Sequence, residues 1–239
     1  MGIKKSELLG FISRYSLGGN VESVKWKSDA DSLSTDFVST DKTLKGSTQY
    51  TNPSAVFFSG KEIGIYQTSQ LVRMLSIMDE DINSTANDTS LLISDKYTNF
   101  SFVLADLDVI PKVPSLKMTP SFTATIKIDS NFIDRFIKSH GALPDNDFFT
   151  IESDPISSTI TFGYAHTNTN RISYNIEVES AEDIQAIHFS SNLMREILVA
   201  NKNTEGTLEI SPVGLARVKF NNTLYKSQYL LVNKQIDGE

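Results

Sequence analysis

Apolar residues along this chain fall on a helical spacing in four short stretches and on a two-residue spacing between them. The helical stretches are Ser6-Glu7-Leu8-Leu9-Gly10-Phe11-Ile12, Ser69-Gln70-Leu71-Val72-Arg73-Met74-Leu75, Asn131-Phe132-Ile133-Asp134-Arg135-Phe136-Ile137 and Ser191-Asn192-Leu193-Met194-Arg195-Glu196-Ile197. They begin at residues 6, 69, 131 and 191, and each reads small polar, any, Leu or Ile, any, Arg or Gly, any, Leu or Ile. So regular a period predicts one structural unit used four times. Apolar residues at the third and seventh places stack on one helix face, while the fifth place lies about 200° round from the third. Arg73, Arg135 and Arg195 are therefore turned away from the core. The small polar residue that opens each stretch, or a neighbour such as Thr68, Asp129 or Ser190, is placed to accept the free N–H groups of the first turn.

Between the helices, Phe122, Ala124, Ile126 and Ile128 alternate with Thr123, Thr125 and Lys127, and Ile172, Tyr174, Ile176 and Val178 with Ser173, Asn175 and Glu177. The runs Ile160-Phe162-Tyr164, Phe100-Phe102-Leu104 and Val24-Trp26 behave alike, as antiparallel strands with one buried face do. One helix followed by several strands, repeated, predicts an α+β protein whose helices gather on one side of its sheets. Pro111, Pro114 and Pro120 resist both helix and central strand between the second and third copies. The expected division is residues 1–105, a crossover at 106–120, and residues 121–239. Each half then reads helix, strands, helix, strands. Gly18-Gly19 follows a helix, the place of a C-terminal cap.

A chain of 239 residues with 39% hydrophobic content can build a real core. No Cys is present, which excludes disulfides, thiolate chemistry and zinc–thiolate sites. The start, Met1-Gly2-Ile3-Lys4-Lys5, leads directly into an amphipathic helix, and nowhere are there 18 consecutive apolar residues. An intracellular, soluble protein without a membrane partner is expected, so the Asn-x-Ser/Thr matches at Asn83, Asn87, Asn99 and Asn221 carry no meaning. His140, His166 and His188 are scattered without metal-ligand spacing. There is no phosphate-cradling Gly loop and no Ser-His-Asp constellation, and Asp79, Glu80 and Asp81 read as a solvated turn. No catalytic residue, metal or cofactor is expected.

The chemistry that remains is a basic surface. Arg14 lies one turn beyond Gly10, Lys138 and Lys202 extend the faces that carry the other arginines, and Lys4 and Lys5 add charge at the chain start. Together with Arg73, Arg135 and Arg195 they suit contact with phosphates without reading bases. Yet 22 basic against 29 acidic residues give a net charge of −7, so charge alone does not hold DNA tightly. An acidic exterior around a mildly basic lining fits a ring, which stays on DNA by topology.

With its four helix copies, the strand runs between them, the Pro-rich crossover, and the Ile63-Gly64-Ile65-Tyr66 strand running into the second helix, the chain resembles a DNA polymerase sliding clamp. The likeness covers essentially the whole length and is greatest to the two-domain clamps of T-even-type bacteriophages. It lies in organisation, and Gly10 departs from the basic residue expected there, leaving the first helix's DNA contact to Arg14, Lys4 or Lys5. The resemblance implies a two-domain clamp fold with antiparallel sheets outside and four helices on the inner face, closed into a ring as a trimer. It implies a non-enzymatic processivity factor, phage-encoded and acting in the host cytoplasm, whose partners are double-stranded DNA, a replicative DNA polymerase and a clamp loader.

Helix packing distances agree with that assembly. Axes about 8–10 Å apart put the twelve helices of a trimer around an opening of roughly 27 Å once helix radii are removed. Eight helices from a dimer leave about 15 Å, too narrow for a duplex whose major groove alone is about 8.5 Å deep. Closed rings need head-to-tail contacts, and pairing strands across them hides sheet edges. The resemblance implies that Phe100, Phe102 and Leu104 meet Ile172, Tyr174 and Ile176 of the next subunit. It also implies an apolar pocket for partner peptides near the crossover and the C-terminal strand, formed by Val109, Ile110, Val113, Tyr229 and Leu230. The competing reading is a phage capsid or tail subunit, since β-rich, Cys-free chains rich in Asn, Thr and Ser occur there. A small hydrolase ranks last. A structural subunit has no reason to place Arg at one repeat position three times.

Overall fold

The computed structural model describes residues 2–29, 31–52, 61–115, 120–153, 157–164, 169–179 and 183–235; His166 and crossover residues 116–119 lie outside these. Strand β1 (Gly2–Lys4) leads into helix α1 (Lys5–Ser16), followed by β2 (Val24–Ser28), β3 (Ser32–Val38), β4 (Leu44–Thr51) and β5 (Glu62–Ile65). Helix α2 (Thr68–Ser76) precedes β6 (Asp81–Ala86), β7 (Ser90–Ser94) and β8 (Asn99–Val103). The pattern then recurs: β9 (Ala124–Ile128), α3 (Ser130–Ala142), β10 (Phe148–Ser153), β11 (Ser158–Phe162), β12 (Ile172–Asn175), β13 (Val178–Glu179) and β14 (Ile184–Ser190). Helix α4 (Ser191–Ala200) and strands β15 (Gly206–Ser211), β16 (Leu215–Asn221) and β17 (Tyr225–Val232) complete it.

The chain forms two compact units, residues 1–114 with 222–227 and residues 115–221 with 228–239. In the first, strands run in the orders β4-β3-β2-β5 and β1-β6-β7-β8; in the second, β13-β9-β15-β16 and β12-β11-β10-β14. Strand β17 gives its first three residues to the first unit, where the Ser227 and Thr48 hydroxyls bond at 2.9 Å. Helix α1 packs with α2, and α3 with α4. Among the described residues no helix is long and apolar enough to cross a membrane.

Strand alternation does what the two-residue beat predicts. Along β4 every second side chain is buried, beneath α1. The core of the first unit is aromatic, with Phe11 5.6 Å from both Tyr15 and Trp26 in edge-on contacts. In the second unit Phe136 plays the same part, 4.9 Å from Phe149 and from Phe162. Leu8, Ile12, Leu71, Leu75, Ile133, Leu193 and Ile197 are buried as the repeat predicts. Ile137 is only half-buried, because Phe136 beside it fills the core.

Some strand runs end differently from the alternation. Phe122 and Tyr164 lie outside their strands, and the run from Ile172 to Val178 divides. Its first part pairs with β11 and its second with β9, so the chain changes sheets around Ile176-Glu177. The caps divide by unit too. Asp129 Oδ1 accepts the Phe132 N–H at 2.8 Å and Ser190 Oγ that of Leu193 at 3.3 Å. In the first unit distant carboxylates serve instead: Glu80 accepts the Ser6 N–H at 3.2 Å and Glu22 that of Ser69 at 2.9 Å. The Thr68 hydroxyl caps nothing, since it donates to the Glu22 carbonyl at 3.0 Å.

On the second unit's sheet Glu209 is held by the Nε and Nη2 of Arg217, at 2.6 and 2.9 Å, and by Lys219 at 2.8 Å. The Arg217 hydrogen bonds, with the Lys219 ammonium beside them, hold its carboxyl below the ordinary value. A carboxylate depressed on folding adds stability above its unfolded pKa, and that stability is lost as pH falls through the folded one. Glu209→Gln is expected to cost about 1 kcal/mol at pH 7 once solvent screening is allowed for. The urea midpoints of wild type and variant should converge below about pH 4.

Candidate nucleic-acid and subunit surfaces

The helix faces turned from the cores differ between units. On α2, Leu71 and Leu75 point inward and Ser69, Gln70, Arg73 and Ser76 outward. On α3, Phe132, Ile133 and Phe136 are buried, while Asn131, Asp134, Arg135 and Lys138 are exposed. Arg73, Lys138 and, past the end of α4, Lys202 are exposed, with no ion-pair partner among the described residues. Arg135 reaches over the Tyr174 ring at 5.4 Å. Arg195 is half-buried and paired with the adjacent Glu196. Lys4 is exposed but bonded to Asp81 at 2.5 Å, which raises its pKa, and Lys5 donates to the Met78 carbonyl at 2.5 Å.

Arg14 does not join this surface. It is only 7% exposed, its guanidinium lies 3.8 Å over the Tyr225 ring, and Nη1 donates to the Gly10 carbonyl at 2.6 Å. Tyr225 in turn donates to the Glu7 carbonyl at 2.8 Å and stacks on Tyr50, whose hydroxyl donates to the Glu7 carboxylate at 2.5 Å. Burial pushes the Tyr225 hydroxyl up to about 12. This cluster explains Gly10, because a Cβ there would stand 2.6 Å from Tyr225 Oη. The glycine is a packing requirement of α1, imposed by a residue from the far end of the chain.

Strands β8 and β12 each end a sheet order. Leu104 N–H donates to Thr89 O and Ile176 N–H to Ser158 O, both at 2.9 Å. Since N–H directions alternate along a strand, those of Ser101, Val103, Ser173 and Asn175 point out of the sheet edges. Two edges of this kind, unpaired among the described residues, are templates for another chain. Ile172, Tyr174, Ile176, Phe100 and Leu104 are half-buried. Phe102 is 4% exposed and belongs to the core of the first unit, so its side chain is not an interface residue. The apolar side chain that β8 exposes is Val103, at 74%, which the Phe100-Phe102-Leu104 beat places on the opposite face.

The expected peptide pocket is also rearranged. Tyr229 is fully buried, and its hydroxyl accepts from Asn201 at 3.0 Å inside the second unit. Ile110 and Leu230 are buried, Val113 is half-buried and Val109 is 63% exposed. None of the five lines the cavity of about 490 Å³ in the first unit, where Pro111, Lys112 and Pro114 face Val21, Val38 and Lys42. Lys45 holds the crossover there by donating to the Pro114 carbonyl at 2.6 Å. The described histidines have local partners, His140 with Asn192 and His188 with Thr150, each at 2.8 Å.

Neither a protein-family model nor a curated protein sequence matches the chain. Solved structures do. The structure of the C-terminal region of FEN-1 bound to A. fulgidus PCNA superposes with a TM-score of 0.79 at 16% identity, covering 100% of this chain and 98% of that one. Proliferating Cellular Nuclear Antigen from Entamoeba histolytica gives 0.74 at 14% identity over 97% and 96% of the two chains. The PCNA2–PCNA3 complex from Sulfolobus tokodaii gives 0.74 at 9% identity over 98% of each. Paired helices on antiparallel sheets, repeated in two units and matched from end to end, give this chain the PCNA-type sliding-clamp fold.

Proposed function

We propose that the chain is a sliding clamp: a homotrimeric ring that encircles double-stranded DNA and tethers a replicative DNA polymerase as a processivity factor. The observation that carries this reading is the end-to-end match to PCNA structures at a TM-score of 0.79. Three features support it. The outward edges of β8 and β12 provide two unlike strand edges for head-to-tail closure. Exposed cations on helix faces suit phosphate contact without sequence readout. The cavity under the crossover suits a partner peptide, and the A. fulgidus protein is seen with the C-terminal region of FEN-1 bound to it.

The protein acts as a scaffold without catalysis, with a clamp loader as a further partner. A phage origin and action in the host cytoplasm rest on the likeness of organisation to T-even-type clamps. The whole-length fold match counts against a capsid or tail subunit. Electron micrographs of the purified protein test the reading. Rings with an open centre, sedimenting as three chains of 26.5 kDa, are the expected result. Ladders, shells or closed globules would overturn it.

A further inference from the structure

The internal repeat allows the two units to be compared place by place. At the fifth and eighth places, α1 has Gly10 and Ser13 where α3 has Arg135 and Lys138. At the fifth and twelfth, α2 and its following turn have Arg73 and Glu80 where α4 and its following turn have Arg195 and Lys202. These four places therefore carry no net charge in the first unit and four positive charges in the second, of which Arg195 is paired with the adjacent Glu196. The surroundings widen the difference. Asp79, Glu80 and Asp81 are all exposed at the end of α2, Lys4 and Lys5 are bonded to protein oxygens beside them, and Arg14 is sunk against Tyr225. A cation whose donors are already engaged gains little from a phosphate, and a carboxylate cluster repels one.

Resting on the sliding-clamp reading, we infer that the DNA backbone is held chiefly by the second unit, through Lys138 and Lys202 with Arg135. In the first unit Arg73 alone contributes, and Arg14 is a structural cation that seats Tyr225. The clamp's weak grip on phosphates is thus lopsided within each protomer, although the fold repeats.

The test is the affinity of the purified trimer for a short duplex, measured by fluorescence anisotropy across a range of salt. Each phosphate contact contributes about 0.9 to the slope of log affinity against log salt. The double variant Lys138→Gln with Lys202→Gln is expected to lose about two contacts' worth of slope per protomer, Arg73→Gln about one at most, and Ser13→Lys to gain slope. All of these positions except Ser13 are exposed, so circular dichroism and sedimentation should show unchanged folding and assembly. A loss in Arg73→Gln equal to or greater than that in the double variant would overturn the inference and leave the clamp reading standing. Absence of both rings and duplex binding in the unaltered protein would remove the clamp reading itself, and this inference with it.

Discussion

Replacing Ser173 by proline is expected to leave each protomer folded and, in the proposed ring, to break the assembly from three chains into single chains of 26.5 kDa. The Ser173 N–H points out of the free edge of β12, and its side chain is exposed. Proline there removes a donor that no described strand of the same chain uses, which is why edge strands tolerate it. What the fold loses is one hydroxyl contact to Thr161 at 2.8 Å. A strand docking from the next protomer loses its ladder at that point and meets the pyrrolidine ring. Val103→Pro does the same to the opposite face of the junction, since the Val103 N–H also points outward from β8. Tyr174→Pro is the contrast: its N–H points toward β11, so the substitution cuts a ladder bond within the protomer and should lower the urea midpoint itself. Sedimentation with circular dichroism separates the cases, and a trimer that survived Ser173→Pro would show that β12 is not the closing strand. On the sliding-clamp function proposed above, polymerase assays should follow assembly, because an open protomer would fall off DNA and synthesis would revert to its level without a clamp.

The place of β12 at a sheet edge shows what a sequence can and cannot carry. Alternation from Ile172 onward marks an extended, half-buried run, but the same alternation continues through Ile176 and Val178 while the chain passes from one sheet to another. Periodicity records the face of a sheet and not which sheet it is. Local signals transferred well: Asp129 and Ser190 cap α3 and α4 from adjacent positions. The caps of α1 and α2 come from Glu80 and Glu22, which the spacing within either helix could not reveal. Arg14 fails for a related reason. Its place on the helix is correct, but Tyr225 covers that face and turns a solvent position into a packed one. Tyr229 lies on the expected strand, yet Asn201 claims its hydroxyl within the core. In each case the deciding partner lies more than a helix length away in sequence, where no local pattern reaches.

Phe136→Ala is expected to be among the most damaging substitutions in the second unit, costing about 3–5 kcal/mol. Counting by fours from Ile133 makes Ile137 the next core residue and leaves Phe136 unassigned. The structure reverses the two. Phe136 has no exposed surface, and its ring meets Phe149 and Phe162 edge-on at 4.9 Å while lying 6.2 Å from Phe132. Edge-on aromatic contacts add to the transfer free energy of the ring, and truncation leaves a cavity walled by rigid rings that cannot close in on it. Ile137, only half-buried, returns part of its transfer term when cut to Ala, about 1–2 kcal/mol. Because a domain is held by about 5–15 kcal/mol, the first loss should unfold the second unit at clearly lower urea and the second should shift it slightly. With two units in one chain the transition need not be single, so the fall should be followed by a probe in the second unit alone. Equal midpoints for the two variants would mean that the aromatic cluster does not organise this core. A comparison of a buried aromatic with a half-buried aliphatic in the first unit, Phe11→Ala against Leu9→Ala, should give the same order, since Phe11 packs against Tyr15 and Trp26 while Leu9 is half-buried.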